Sequence, residues 1–288
     1  MKKGGITVNW IADYHMHTHH SPDSRSTIAE MAASARLRGL SEIAVTNHFE
    51  FFPSGNAQSS GNDPLALTNH GFTLENFEDY QEELHQFREC YPNAMPVRFG
   101  VEAGQPFEDP SYASELMDAF DFDFVLGSIH NLGHVDLYVA DYTKQNLSWF
   151  CRTYLEALYR LADECDYDCL AHIDLIKRYA AFRGLKADLM DYADDLTAVL
   201  KRVIERGKGI EINTSGIRQD VGEMLPGLTI LEFYRSLGGE ILTIGSDAHN
   251  PHDVAADLEA GYRLALQAGF QSICSYEERK PTFHPIKE

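Results

Sequence analysis

The chain has 288 residues, 44% of them apolar and 24% charged, which supplies a sizeable core and excludes wholesale disorder. Lysine and arginine number 24 against 44 aspartates and glutamates, a net charge of −20 that repels nucleic acid and anionic membrane at long range. Any anionic ligand would therefore need positive charge concentrated locally.

In chain order, short apolar and β-branched runs alternate with segments of helical periodicity. The runs Val8–Ala12, Ile43–Thr46, Val97–Val101, Phe122–Ile129, Cys169–Ala171, Gly209–Ile212 and Glu240–Ile244 predict seven strands. Between them, Thr27–Arg38, Leu74–Cys90, Tyr112–Ala119, Lys144–Asp163, Ala187–Arg206, Thr229–Leu237 and Asp253–Ala268 predict helices. Such alternation favours a parallel α/β sheet, open or closed into a barrel, and at about 250 residues a barrel forms one domain. The whole chain, 1–288, is read as one domain. Residues 51–72, rich in Gly, Ser, Asn and Pro, are too long for an ordinary connection and read either as a surface insertion or as a lid.

The five cysteines, Cys90, Cys151, Cys165, Cys169 and Cys274, show no paired spacing, which suits a reducing compartment. The N-terminal apolar stretch is too short for a signal segment, and no window approaches the roughly 20 apolar residues of a membrane span. The expectation is a cytoplasmic protein.

The polar residues at the strand ends carry the chemistry. His15-Met16-His17 comes after the first run, His48 after the second and Glu102 after the third. His130, His172 and Asn213 come after the next three, and Asp247-Ala248-His249 after the last. A closed barrel gathers strand ends around one axis. In a His-x-His unit the side chains share a strand face and can chelate one ion, and the same spacing recurs at Asp247 and His249. Imidazole and carboxylate without thiolate suit zinc, manganese or iron. The other histidines, His19, His20, His70, His85, His134, His252 and His284, read as surface or supporting residues.

His15-Met16-His17-Thr18, Thr46-Asn47-His48, Gly100-Val101-Glu102, Gly127-Ser128-Ile129-His130, Leu170-Ala171-His172-Ile173-Asp174 and Gly245-Ser246-Asp247-Ala248-His249 resemble the polymerase-and-histidinol-phosphatase (PHP) superfamily. Within it, Ser21-Pro22-Asp23-Ser24, Ile176-Lys177-Arg178-Tyr179, Glu211-Ile212-Asn213-Thr214-Ser215-Gly216 with Arg218, and Arg279-Lys280-Pro281 resemble the bacterial L-histidinol-phosphate phosphatases. The resemblance implies a single distorted seven-stranded (β/α)7 barrel of TIM-like type. It also implies two or three divalent ions: His15, His17, Glu102 and Asp247 around one, Glu102 bridging to a second held by His130 and His172, and Asp23, His48 and His249 around the third.

On that reading the reaction is hydrolysis of L-histidinol phosphate, in the late steps of histidine biosynthesis, by in-line attack of a metal-bridging hydroxide without a phospho-enzyme. Asp247 would orient or deprotonate the attacking water, with Glu102 and His249 completing the catalytic set, and Arg178 and Arg218 would bind phosphate. Three divalent ions outweigh three ligand carboxylates and a hydroxide, so the site would be cationic within an acidic chain. The competing expectations are a PHP phosphoesterase acting on nucleotides or another small ester, and a non-catalytic metal-binding accessory module. Neither a nucleic-acid nor a membrane partner is expected, and the oligomeric state is left open.

Overall fold

The computed structural model describes residues 10–53 and 72–287, so residues 54–71, which carry most of the 51–72 segment and His70, lie outside the described residues. Seven parallel strands, β1 (Ala12–Asp13), β2 (Glu42–Glu50), β3 (Val97–Gly104), β4 (Phe124–Ser128), β7 (Cys169–Leu170), β8 (Gly209–Asn213) and β9 (Leu242–Gly245), form one sheet in that order. Backbone bonds beyond the strand ends close the ring: Tyr14 N donates to Ile244 O at 3.0 Å, Asp247 N to His15 O at 2.8 Å and His17 N to Ala248 O at 2.8 Å. The result is the expected α/β barrel.

Helices α1 (Ile28–Leu37), α2 (Leu74–Cys90), α3 (Pro110–Ala119), α4 (Leu147–Glu164), α5 (Ile176–Phe182), α6 (Ala193–Glu205), α7 (Leu228–Ser236) and α8 (Leu258–Gln267) connect the strands. Period-two alternation divides each strand between two cores. On β2, Ile43 and Val45 join the outer core beneath the helices, while Ala44 belongs to a separate apolar cluster with Tyr14, Phe124, Leu126, Cys169 and Tyr276. That inner cluster fills the N-terminal half of the lumen, leaving the other half to polar residues.

A hairpin of β10 (Ser272–Glu277) and β11 (Lys280–Pro285) covers the N-terminal mouth. Tyr276 N donates to Tyr14 Oη at 2.8 Å, and the Arg279 guanidinium donates to Asp166 and Asp168. The sequence pattern does not reveal this hairpin, because its turn, Glu278-Arg279, adopts positive φ (49° and 63°) without the glycine or asparagine that usually signals such a turn. A second hairpin, β5 (Asn131–Leu132) with β6 (Val135–Asp136), comes after His130.

Three helical expectations need correction. The last helix starts at Leu258 rather than Asp253, because Ala255 and Asp257 are left-handed (φ 60° and 58°) and break the preceding turn. The segment expected as Ala187–Arg206 is a 3-10 turn, Leu189–Tyr192, followed by α6. The short helix α5 is absent from the expected elements; at seven residues it offers too little periodicity to read. Among the described residues, no helix is long and apolar enough to cross a membrane.

Candidate metal centre

Strand register assembles the site at the C-terminal mouth. His48 and Glu102 are partners in the β2–β3 ladder, and His48 Nδ1 lies 3.0 Å from Glu102 Oε2. His15 Nε2 and His17 Nε2 approach to 3.1 Å. Glu102 Oε2 sits 3.2 Å from the first and 3.5 Å from the second, and Asp247 Oδ1 sits 3.6 and 3.5 Å from them. Four donors around an ion at about 2.0–2.1 Å in a tetrahedron are separated by about 3.3 Å. These five separations bracket that value, and the residues present therefore fit a divalent ion.

Glu102 turns its other oxygen the opposite way. Its Oε1 lies 2.8 Å from His172 Nε2 and 3.2 Å from His130 Nε2. The carboxylate thus spans two donor sets, as a bridging ligand must. At the third corner Asp23 Oδ2 lies 3.0 Å from His249 Nε2 and 3.4 Å from His48 Nε2. Asp23 does not cap α1: Thr27 does, reciprocated by Glu30 in a capping box.

Asp247 and His249 reach different corners, contrary to the expectation from strand alternation. Asp247 is left-handed (φ 56°), so the chain has left the pleat where its side chain projects. His172 also has positive φ (25°). Both are unfavourable conformations for residues with a Cβ, and both occur at strand ends that deliver donors to the centre.

Two carboxylates that the sequence reading does not place at the centre stand behind these histidines. Glu211 Oε1 is 2.7 Å from His15 Nδ1, and its Oε2 accepts from His172 N at 3.0 Å. Glu50 Oε1 is 2.6 Å from His130 Nδ1. Carboxylates in this position fix the ring and leave Nε2 facing an ion. Glycines make room for them. A Cβ at Gly104 would lie 2.0 Å from Glu50 Oε2, and one at Gly245 would lie 2.5 Å from Glu211 Oε1. The available signal is alternation: Glu50 lies two residues beyond His48 on an inward face.

Asp13 braces the frame, accepting from Ser246 N and Ala255 N at 2.8 Å each.

Electrostatics agree with a site built for cations. Burial pushes the Glu102 carboxyl up, but His15, His130 and His48 outweigh it and hold Glu102 well below the usual carboxylate range. Burial opposes charge on Asp247 too, and His15, His17 and Arg178 reverse it. Burial, with His48 and His249 nearby, lowers His17 to about 3, leaving a neutral imidazole with a free lone pair. Burial would lower His15, yet Glu211, Glu102 and Asp247 drive it well above its ordinary value. Those carboxylates favour positive charge at that point, whichever cation carries it.

Arg178, on α5, reaches the centre: its Nη2 donates to Ser215 Oγ at 2.6 Å and to Asp247 Oδ2 at 3.2 Å. Arg218 stands one residue further back. Its Nη2 donates to Ser246 O at 2.7 Å, and its other nitrogens face Asp253 and Asp257 at 3.7 and 3.8 Å.

Residues 13–215 match the model of the PHP domain family. The chain belongs to the PHP domain family. It is 31% identical over 271 residues to a Clostridium acetobutylicum protein named "Probable histidinol-phosphatase", covering 91% of this chain and 96% of that one. It is 24% identical to the histidinol-phosphatase of Lactococcus lactis over 93% of this chain and 95% of the other. The crystal structure of the Lactococcus lactis histidinol phosphate phosphatase, in complex with zinc, L-histidinol and phosphate, superposes with a TM-score of 0.77 at 25% identity. The match covers 94% of this chain and 98% of that one.

Proposed function

We infer that this PHP chain is a metal-dependent phosphatase that hydrolyses L-histidinol phosphate to L-histidinol and inorganic phosphate. The observation that carries the reading is Glu102, whose two oxygens face two separate histidine sets at one mouth of the barrel. Relatives named histidinol-phosphatase match over nearly their whole length, and one of them has been crystallised with zinc, L-histidinol and phosphate.

The reading assigns two or three divalent ions, of zinc, manganese or iron, to the nine donors His15, His17, Asp23, His48, Glu102, His130, His172, Asp247 and His249. Bound there, such ions would lower the pKa of water toward about 7 and neutralise charge on the phosphoryl group. The chain's own groups then have distinct tasks. Glu211 and Glu50 hold His15 and His130 in one ring orientation. Asp247 is gripped through Oδ2 by Arg178 and Ser215, which leaves Oδ1 facing His15 and His17, the side on which it would orient or deprotonate the attacking water.

Arg178 is the phosphate contact nearest the centre. Arg218, whose guanidinium faces Ser246 O, Asp253 and Asp257, would be the second only by turning away from one of these partners, and its bond to Ser246 O steadies the strand end that carries Asp247.

The test is phosphate release from a panel of monoesters and diesters by metal-reconstituted protein, with elemental analysis of the same sample. L-Histidinol phosphate should have the highest kcat/KM, and rigorous chelation should abolish turnover. A nucleotide or diester preferred over L-histidinol phosphate, or turnover that survives chelation, would overturn the assignment.

A further inference from the structure

A second group of donors lies outside the centre. His19 and His20 occupy the turn after His17, and Glu83 projects from α2. His20 Nε2 is 2.7 Å and His19 Nε2 3.5 Å from the same oxygen, Glu83 Oε2, and the three donor atoms lie within 4.8 Å of one another. Glu83 is held in place by its other oxygen, which accepts from Ile28 N at 3.0 Å. The His20 ring packs against the buried ring of Tyr80, with centroids 5.5 Å apart.

Ordering His20 and Glu83 for a ligand would therefore cost little further entropy, and the ordering cost falls mainly on the His19 side chain, which is 42% exposed. A hydrogen bond from His20 alone would account for one imidazole, but it leaves the convergence of the second on the same oxygen unexplained.

We propose that His19, His20 and Glu83 form a separate site for one transition-metal ion, distinct from the Glu102 centre. Two imidazoles and one carboxylate are a donor set suited to zinc, with remaining positions filled by water. There is space for those waters: a cavity of about 210 Å³ adjoins the cluster, lined by His19, His20, Ser21, Pro22, Asn76 and Asp79. Asp79 and Glu83 are one helical turn apart on α2 and share a face, so Asp79 adds negative charge on that side.

The site is tied to the main centre through Ser21. Its Oγ lies 3.2 Å from His17 Nδ1 and accepts from His48 N at 3.0 Å. An ion on His19 and His20 would therefore stiffen the turn that supports two donors of the main centre.

The experiment uses the full chain with its main centre loaded with zinc. Zinc is then titrated at buffered free concentration, with elemental analysis, and cobalt(II) absorption is followed on the same zinc-loaded protein. Wild type should take up one equivalent beyond the main centre. Glu83→Gln, which keeps an oxygen for Ile28 N, and the double variant His19→Ala with His20→Ala should each bind that extra ion about tenfold or more weakly. Both should retain the ions of the main centre.

The proposal fails if wild type takes up no extra equivalent, if both variants bind it as wild type does, or if they shed the main-centre ions with it. Because the readout is ion stoichiometry, a different phosphate ester preference would leave this result untouched.

Discussion

At the corner built by His15, His17, Glu102 and Asp247 no side chain is more than 8% exposed, whereas at the corner built by Asp23, His48 and His249 the Asp23 side chain is 51% exposed and that of His249 28%. The support differs in the same sense. His15 is backed by the Glu211 carboxylate, while His249 Nδ1 lies 3.0 Å from a backbone carbonyl, that of Asp247. The first corner is sealed by the barrel wall: Glu102 comes from β3, and His15, His17 and Asp247 from the segments just beyond β1 and β9, which backbone hydrogen bonds tie together. The second hangs partly on a loop at the solvent boundary, where substrate must enter and product must leave. Retention of ions should follow burial, and exchange of ions should follow exposure.

The largest test of this contrast is Glu102→Gln. An amide cannot offer two anionic oxygens, so kcat/KM should fall about 10³-fold or more, and elemental analysis should show at least two ions lost. Retention of every ion would mean that Glu102 does not bridge. Next is Arg178→Ala, which removes charge-assisted hydrogen bonds worth about 1.5–3 kcal/mol each; kcat/KM for L-histidinol phosphate should drop roughly 10- to 100-fold with metal content unchanged.

Glu211→Gln should weaken the sealed corner about 10- to 100-fold in metal affinity, read by competition with a chelator, since His15 loses its anionic partner. The smallest effect is expected for Asp23→Asn, which should cost about tenfold in activity and one ion while the others remain. If Asp23→Asn instead emptied the sealed corner, the two corners would not be separable.

Much of this arrangement is legible in the sequence. Six of the seven predicted strand runs are found where apolar alternation puts them; the first, Val8–Ala12, begins outside the described residues and is strand only at Ala12, continuing to Asp13. The imidazoles and carboxylates after the runs meet at one mouth, where the barrel gathers the strand ends. His48 and Glu102 show how far that goes: each can be assigned to the end of its own strand, but only the ladder makes them neighbours. Glu50 and Glu211 are harder to place at the centre, since their task depends on which ring each backs across the lumen. The hairpin Ser272–Pro285 escapes the pattern because Glu278 and Arg279 take left-handed conformations that carry no glycine signature. His19 and His20 read as ordinary surface histidines because Glu83 is distant in sequence and comes from another helix.

The sequence by itself determined the parallel order of the elements, the inventory of imidazoles and carboxylates, and their concentration at the C-terminal ends of strands. These are local properties, set by side-chain alternation and by the residue at which each run stops. Tertiary structure alone decided which donor faces which. That includes the bridging posture of Glu102, the left-handed turn that sends Asp247 and His249 to different corners, and the room that Gly104 and Gly245 leave for Glu50 and Glu211. The physical reason is closure: the rotational phase between strands exists only once the ring is hydrogen-bonded shut, and a metal cage is a property of that phase.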